Sequence, residues 1–207
     1  TCFAYAKQQG YACYALTFDY GQRNRIEIEY AKKIAVALGA IEHRVIQVDL
    51  ASWGGSAMTD LDKVVPCDRH AKGVPSTYVP ARNTVFLSIA LSYAEAIQAS
   101  DVFIGVNAMD YAHYPDCRPE YIKAFIALAK LATRDGIEGQ SLDIQTPLLR
   151  LTKPEIIRMG RALGIDYDDT LSCYNPGVDG EPCLQCEACQ LRALGFESDD
   201  EKSKSVK

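Results

Sequence analysis

The sequence predicts an α/β protein: a doubly wound parallel sheet with a small zinc-binding lobe at its C-terminal end. Three observations carry that expectation. Short apolar runs of strand length alternate with stretches of helical period, as in a parallel sheet covered by helices. Polar, chemistry-bearing stretches gather at the strand ends and helix starts, where open α/β sheets bind ligands. Four cysteines between 173 and 189 follow the spacing C-x9-C-x2-C-x2-C.

The elements follow in order. "TCFAYAKQQG" (1–10) reads as a helix already under way, with no strand ahead to feed it, so further residues are expected upstream. "YACYALTF" (11–18) is a strand buried on both faces. Ile26, Tyr30, Ile34 and Leu38 recur every fourth residue, which marks an amphipathic helix with Gly39 at its C-terminal cap. "HRVIQVD" (43–49) is the second strand, residues 84–98 a second long helix, and "DVFIGV" (101–106) the third strand. "RPEYIKAFIALAKLAT" (118–133) is a helix and "SLDIQTPL" (141–148) the fourth strand. The last helix opens on Thr152-x-x-Glu155, a capping box, with Pro154 in its first turn and Gly164 past its end. Between Asp49 and Arg82 no period is visible, and a connection this long is expected to be mobile and to close over a ligand. "ESDDEKSKSVK" (197–207) is polar throughout and reads as a disordered tail.

At 207 residues and 48% hydrophobic, the chain can bury one full core. A net charge of −5 argues against a nucleic-acid partner, which needs a basic stripe, but leaves room for small anionic ligands. No apolar run approaches the roughly 18 residues of a membrane span. Cys2, Cys13, Cys67 and Cys117 are scattered singly, which fits a reducing cytoplasm. The clustered cysteines are different. Cys183, Cys186 and Cys189 lie too close in sequence for comfortable disulfides. Zinc takes four thiolates in a tetrahedron, C-x2-C turns deliver two to one ion, and Cys173 would close the site. Pro176, Gly177, Gly180 and Pro182 suit a loop bending around the ion. One structural zinc per chain is expected, against the alternative of four reduced thiols without metal.

Four further stretches specify the chemistry: "TFDYGQRN" (17–24), "STYVPARNTVFL" (76–87), "VNAMDYAHYPDCRPEYI" (106–122) and "TPLLRLTKPEI" (146–156). With the cysteines, they resemble the 7-cyano-7-deazaguanine (preQ0) synthase family of PP-loop ATPases, from Thr1 to about Arg192. The family's phosphate loop, of the form SGGxDS, and the strand that carries it would lie just before Thr1. The resemblance implies an adenine-nucleotide α-hydrolase-like core over 1–165 and a zinc-binding lobe over 166–196, ahead of the tail at 197–207. It implies a ligase of queuosine biosynthesis that converts 7-carboxy-7-deazaguanine and ammonia to the nitrile. ATP, with Mg2+, adenylates first the carboxylate and then the amide. A homodimer is compatible with the sequence.

On that resemblance, Leu16, Thr17, Phe18 and Tyr20 lie at the adenine, the alternative for each being an ordinary strand end. Arg82 holds phosphate or carboxylate at a helix start, or is a plain surface arginine. Gly105 permits close approach of the nucleotide or makes a tight turn. Asp116 accepts from the amidine-like edge of the deazaguanine, or caps the helix that begins near Pro119. Arg118 pairs with the substrate carboxylate or with Asp116, and Tyr111 and Tyr114 stack on the ring. Lys153 sits in a helix's first turn, where a cation is unfavourable unless an anion joins it, so it is assigned to pyrophosphate or acyl-adenylate; a surface lysine is the alternative. A tRNA-modifying thiolase of the same superfamily would need a basic surface, and a zinc-ribbon adaptor would leave "YPDCRPE" without a task.

Overall fold

A computed structural model describes residues 1–68, 73–107, 113–139 and 142–205, with side chains as far as Asp200. Two compact units emerge. Thr1, Phe3–Pro80 and Thr152–Lys207 form one, and Ala81–Leu151 with Cys2 the other.

The first unit contains α1 (Cys2–Gln8), β1 (Tyr14–Asp19), α2 (Glu27–Ala37) and β2 (Glu42–Gln47). β1 and β2 pair in parallel from Tyr14 opposite Glu42 to Asp19 opposite Gln47. The connecting helix α2 buries Ile28 and Ala35, and it ends as expected: Gly39 takes φ +66°, and the Ala40 amide reaches back to Ala35 O at 2.8 Å. That is the left-handed terminus glycine favours. β1 is not buried on both faces. Tyr14 is exposed and the rest half-buried.

The second unit supplies α3 (Arg82–Ala96), β3 (Asp101–Phe103), α4 (Pro119–Ala132) and β4 (Asp143–Gln145), and two further helices of the first unit follow later in the chain. α5 is Lys153–Ala162 and α6 is Glu187–Ser205. The Glu155 carboxylate accepts from the Thr152 amide at 2.8 Å, the reciprocal half of the expected capping box. α6 packs on α5 closely enough that a Cβ on Gly195 would stand 2.8 Å from Ile157 Cδ1. It also runs through residues 197–205, which corrects the expected tail. Asp199, 1% exposed, is gripped there by Arg158 at 3.0 Å and Arg161 at 2.7 Å, and Phe196 lies beneath the guanidinium groups of Arg161 and Arg192.

In the second unit β3 and β4 pair in parallel, Asp101 opposite Asp143. Leu87, Leu91 and Ala94 of α3 and Ile122, Phe125 and Ala129 of α4 recur at helical spacing and meet Leu142 and Ile144 in one core. Two parallel pairs with intervening helices make the chain α/β. Among the described residues no helix is long and apolar enough to cross a membrane.

Candidate functional site

The four cysteines converge. The Sγ atoms of Cys173, Cys183, Cys186 and Cys189 all lie within 4.8 Å of one another, with Cys173 and Cys186 4.0 Å apart. A tetrahedral zinc with bonds near 2.3 Å sets its sulfurs about 3.8 Å apart, so the cluster needs only slight contraction to fit the ion. Backbone amides surround it. Those of Asn175 and Cys183 donate to Cys173 Sγ at 3.3 and 3.2 Å, that of Cys186 to Cys183 Sγ at 3.3 Å, and that of Tyr174 to Cys186 Sγ at 3.5 Å. Such donors favour thiolate over thiol. Burial pushes the Cys173 and Cys189 thiols up. At Cys183 burial is outweighed by the amides of Cys186 and Gln185 and by the neighbouring thiols, which bring it down to about 7. A coordinating divalent cation would ionise all four. Val65 packs into the cluster beside Leu171 and Tyr174 and helps keep it dry.

Sequence spacing made this cluster visible because C-x2-C is a local device. The turn has a cost that spacing did not announce: Leu184, between two ligands, takes φ +58°, a conformation unfavourable for a side-chain-bearing residue.

At the end of β1, Gln22 organises the turn. Its Oε1 accepts from the Tyr20 amide at 2.8 Å, and its Nε2 donates to Phe18 O at 3.0 Å and Glu27 Oε1 at 3.1 Å. Tyr20 is buried, while Leu16, Thr17 and Phe18 are half-buried. Thr17 Oγ1 lies 2.9 Å from His43 Nε2, whose pKa is lowered by burial first and by the Lys32 charge second. Lys153 is the first residue of α5, and its Cβ would stand 3.2 Å from a Cβ on Gly195 of α6. Its stem is therefore held by helix packing.

In the second unit Arg82 opens α3, directly after Ala81 at φ +52°, and its guanidinium lies 5.8 Å from the centroid of Phe86. Gly105 follows β3 without a left-handed φ, and a Cβ there would meet Leu148 no closer than 3.8 Å; neither a strained turn nor local crowding demands glycine. Asp116 is buried, and Oδ2 accepts from the Asn83 amide at 2.8 Å. Asn83 Nδ2 returns a bond to Asp116 O at 3.1 Å. The carboxylate thus caps α3 from 33 residues away. It does not cap α4, whose N-cap is Arg118 with Pro119 behind it. That corrects the capping alternative, because a short helical turn at Pro115–Cys117 carries Asp116 away from α4 and toward the start of α3. Arg118 is exposed and donates to Pro115 O at 3.2 Å, not to Asp116. Tyr114 is half-buried against the core of this unit, and Tyr111 lies outside the described residues.

Sequence reasoning missed two residues. Asn83 was visible only as a helix-start neighbour of Arg82, and its buried pairing with Asp116 is long-range. Arg23 carried no local signal, yet it binds four backbone carbonyls of the segment after β2.

Comparison with known proteins adds to this geometry. The family model described as "Queuosine biosynthesis protein QueC" matches residues 1–200. A protein of Saccharophagus degradans named 7-cyano-7-deazaguanine synthase is 56% identical over 95% of this chain and 87% of its own length. A protein of the same name from Nitrosospira multiformis is 54% identical over 97% of this chain and 86% of its own. One from Methylococcus capsulatus is 55% identical over 95% and 88%.

Proposed function

The chain belongs to the QueC family of queuosine biosynthesis proteins, and from that membership we infer that it makes 7-cyano-7-deazaguanine, as its relatives' name states. One observation carries the reading: identity above half over nearly the whole chain, with the four-thiol cluster intact. In this reading a first ATP adenylates the carboxylate of 7-carboxy-7-deazaguanine, with Mg2+ on the phosphates, and pyrophosphate leaves. Ammonia displaces AMP to give the amide. A second ATP activates the amide oxygen, and loss of AMP leaves the nitrile.

The residue roles belong to the same proposal. Residues 16–20 contribute to the adenine site, and Gly105 leaves room for the nucleotide. Arg82 and Lys153 stabilise negative charge on phosphate or acyl-adenylate, since each sits at a helix start where amides already favour anions. Asp116, Arg118, Tyr111 and Tyr114 serve the deazaguanine. What supports Asp116 is its burial beside the amides that open α3. The zinc is structural, because all four positions are filled by thiolates and no ligand position is left for substrate. Residues 1–165 then carry the nucleotide chemistry and 166–196 the metal, in the cytoplasm. The doubly wound sheet is also proposed. Both strand pairs are parallel, which supports it.

The test is a reconstitution. Purified protein with ATP, Mg2+, ammonium and 7-carboxy-7-deazaguanine should yield the nitrile by mass, with about two AMP per product, as the two activations require. ATP turnover without nitrile, or nitrile without AMP, would refute the scheme.

A further inference from the structure

Among its described residues the segment after β2 has no helix or strand beyond a short 3-10 helix at Ala51–Trp53, yet it is firmly held. Ser56 and Ala57 are fully buried and Met58 nearly so. Its own hydrogen bonds are local turns, such as Asp60 N–H to Ser56 O at 3.0 Å and Lys63 N–H to Asp60 O at 3.2 Å; what ties it to the rest of the unit comes largely from outside. The carbonyls of Ala57, Asp60, Leu61 and Lys63 all accept from the guanidinium of Arg23, at 3.2, 2.9, 3.0 and 2.6 Å. The Arg23 amide adds a bond to Met58 O at 2.7 Å. A guanidinium spreads five donors over three nitrogens in a fixed plane, whereas a lysine ammonium has three on one nitrogen and cannot span Ala57 and the 60–63 carbonyls in the same geometry.

The same segment is tied to the four-cysteine cluster at two places directly and at a third through Arg23. Arg23 Nη1 reaches Asn175 Oδ1 at 3.4 Å, and the Asn175 amide donates to the ligand Cys173. Val65 is buried among Cys173, Cys186 and Cys189. Gln190, next to the ligand Cys189, donates through Nε2 to Cys67 O at 2.8 Å. A loop that satisfies its backbone through outside groups is only as ordered as those groups.

We propose that the metal knot and Arg23 jointly hold residues 56–67 against the turn that follows β1, so that the order of this segment depends on the metal. The inference gives the zinc a task beyond its own lobe. Asn175, Val65 and Cys67 keep their places only while the thiolates are gathered, and Arg23 passes that constraint to Gly21–Arg23. For catalysis the consequence rests on the proposed function: the turn so fixed directly follows residues 16–20, assigned to adenine.

Amide hydrogen exchange on the full chain, without ATP or substrate, tests it in two arms. In the first, zinc-loaded protein is compared with protein stripped by a chelator. Exchange across 56–67 and 173–190 is expected to quicken together, about tenfold or more, while β1 and β2 keep their protection. In the second, Arg23→Lys should quicken exchange in 57–63 by roughly tenfold, as loss of charge-assisted bonds implies, with zinc content unchanged. Unchanged protection of 56–67 after zinc loss would overturn the proposal, as would wild-type exchange in Arg23→Lys. Equal loss of protection in β1 and β2 would overturn it too, since the metal would then hold the whole unit and no particular segment. Because neither arm uses turnover, a failed synthase assay leaves these outcomes readable, and a failure here leaves that assay standing.

Discussion

Replacing Asp116 with alanine should destabilise the protein before it disturbs any ligand. The carboxylate accepts from the Asn83 amide at 2.8 Å, and both residues are about 5% exposed, so water does not readily replace the lost acceptor. A hydrogen bond to a charged group contributes about 1.5–3 kcal/mol, and the orphaned buried amide keeps the loss near the upper part of that range. An ordinary exposed N-cap would cost only ~1 kcal/mol. We therefore expect a loss of about 2–3 kcal/mol. For a chain of this length that is a fall in Tm of roughly 5–10 °C.

Asp116→Asn separates capping from recognition. The amide oxygen still accepts from the Asn83 N–H, so stability should fall by less than ~1 kcal/mol. A second carboxylate oxygen reading the ring edge, by contrast, is replaced by a donor that opposes the ring's own donors. Affinity for 7-carboxy-7-deazaguanine should then drop about tenfold to a hundredfold, with ATP affinity unchanged. Calorimetric melting and titration of both ligands on the two variants give all the quantities needed. An alanine variant that melts with the wild type would refute the capping argument. An asparagine variant that binds substrate normally would end the assignment of Asp116 to recognition.

Three further outcomes can be checked directly. Cys186→Ser should bind well under one equivalent of zinc by elemental analysis and melt earlier, because metal-binding free energy is folding free energy in such a knot. Gly160→Ala should destabilise by about 1–3 kcal/mol in chemical denaturation, although alanine is ordinarily better in a helix, because its Cβ would stand 2.1 Å from the Tyr167 hydroxyl. His43 is held below its ordinary 6.5 by burial and then by Lys32, so its contribution to stability is full above pH 6.5 and is lost as pH falls through the lowered folded value; His43→Gln should flatten that acid limb in pH-dependent melts.

How far the sequence disclosed this molecule depended on the range of the interaction involved. The cysteine cluster was legible because ligand spacing is set by one turn of chain. The caps at Gly39 and Gly164 and the Thr152–Glu155 pair were legible for the same reason. Strand ends were less so. The run 101–106 gives a ladder only over Asp101–Phe103, and 141–148 only over Asp143–Gln145, because a strand stops where its partner stops, whatever its own apolar content. α6 was missed altogether, since the last helix was expected to open at Thr152, and beyond residue 196 a tail was expected instead. "ESDDEKSKS" has the composition of a tail, and its order comes from Asp199 meeting Arg158 and Arg161 some forty positions earlier.

The same long-range logic bears on the candidate site. Asp116, read as a ligand for the deazaguanine or else a local cap, caps a distant helix start; Arg23, which carried no local signal, anchors a segment that composition alone would leave loose. In both cases a charged side chain satisfies backbone groups of another stretch of chain. The same use of charge recurs in Arg23 and Arg192, whose donors go largely to the chain's own carbonyls and hydroxyls. Arg192 donates to Tyr167 O at 2.6 Å and Thr170 Oγ1 at 2.8 Å, fixing the strand of chain that leads into Cys173. The metal lobe is therefore held from both sides, by Arg192 ahead of its first ligand and by Arg23 through Asn175 just behind it. Guanidinium groups so committed are unavailable for phosphate.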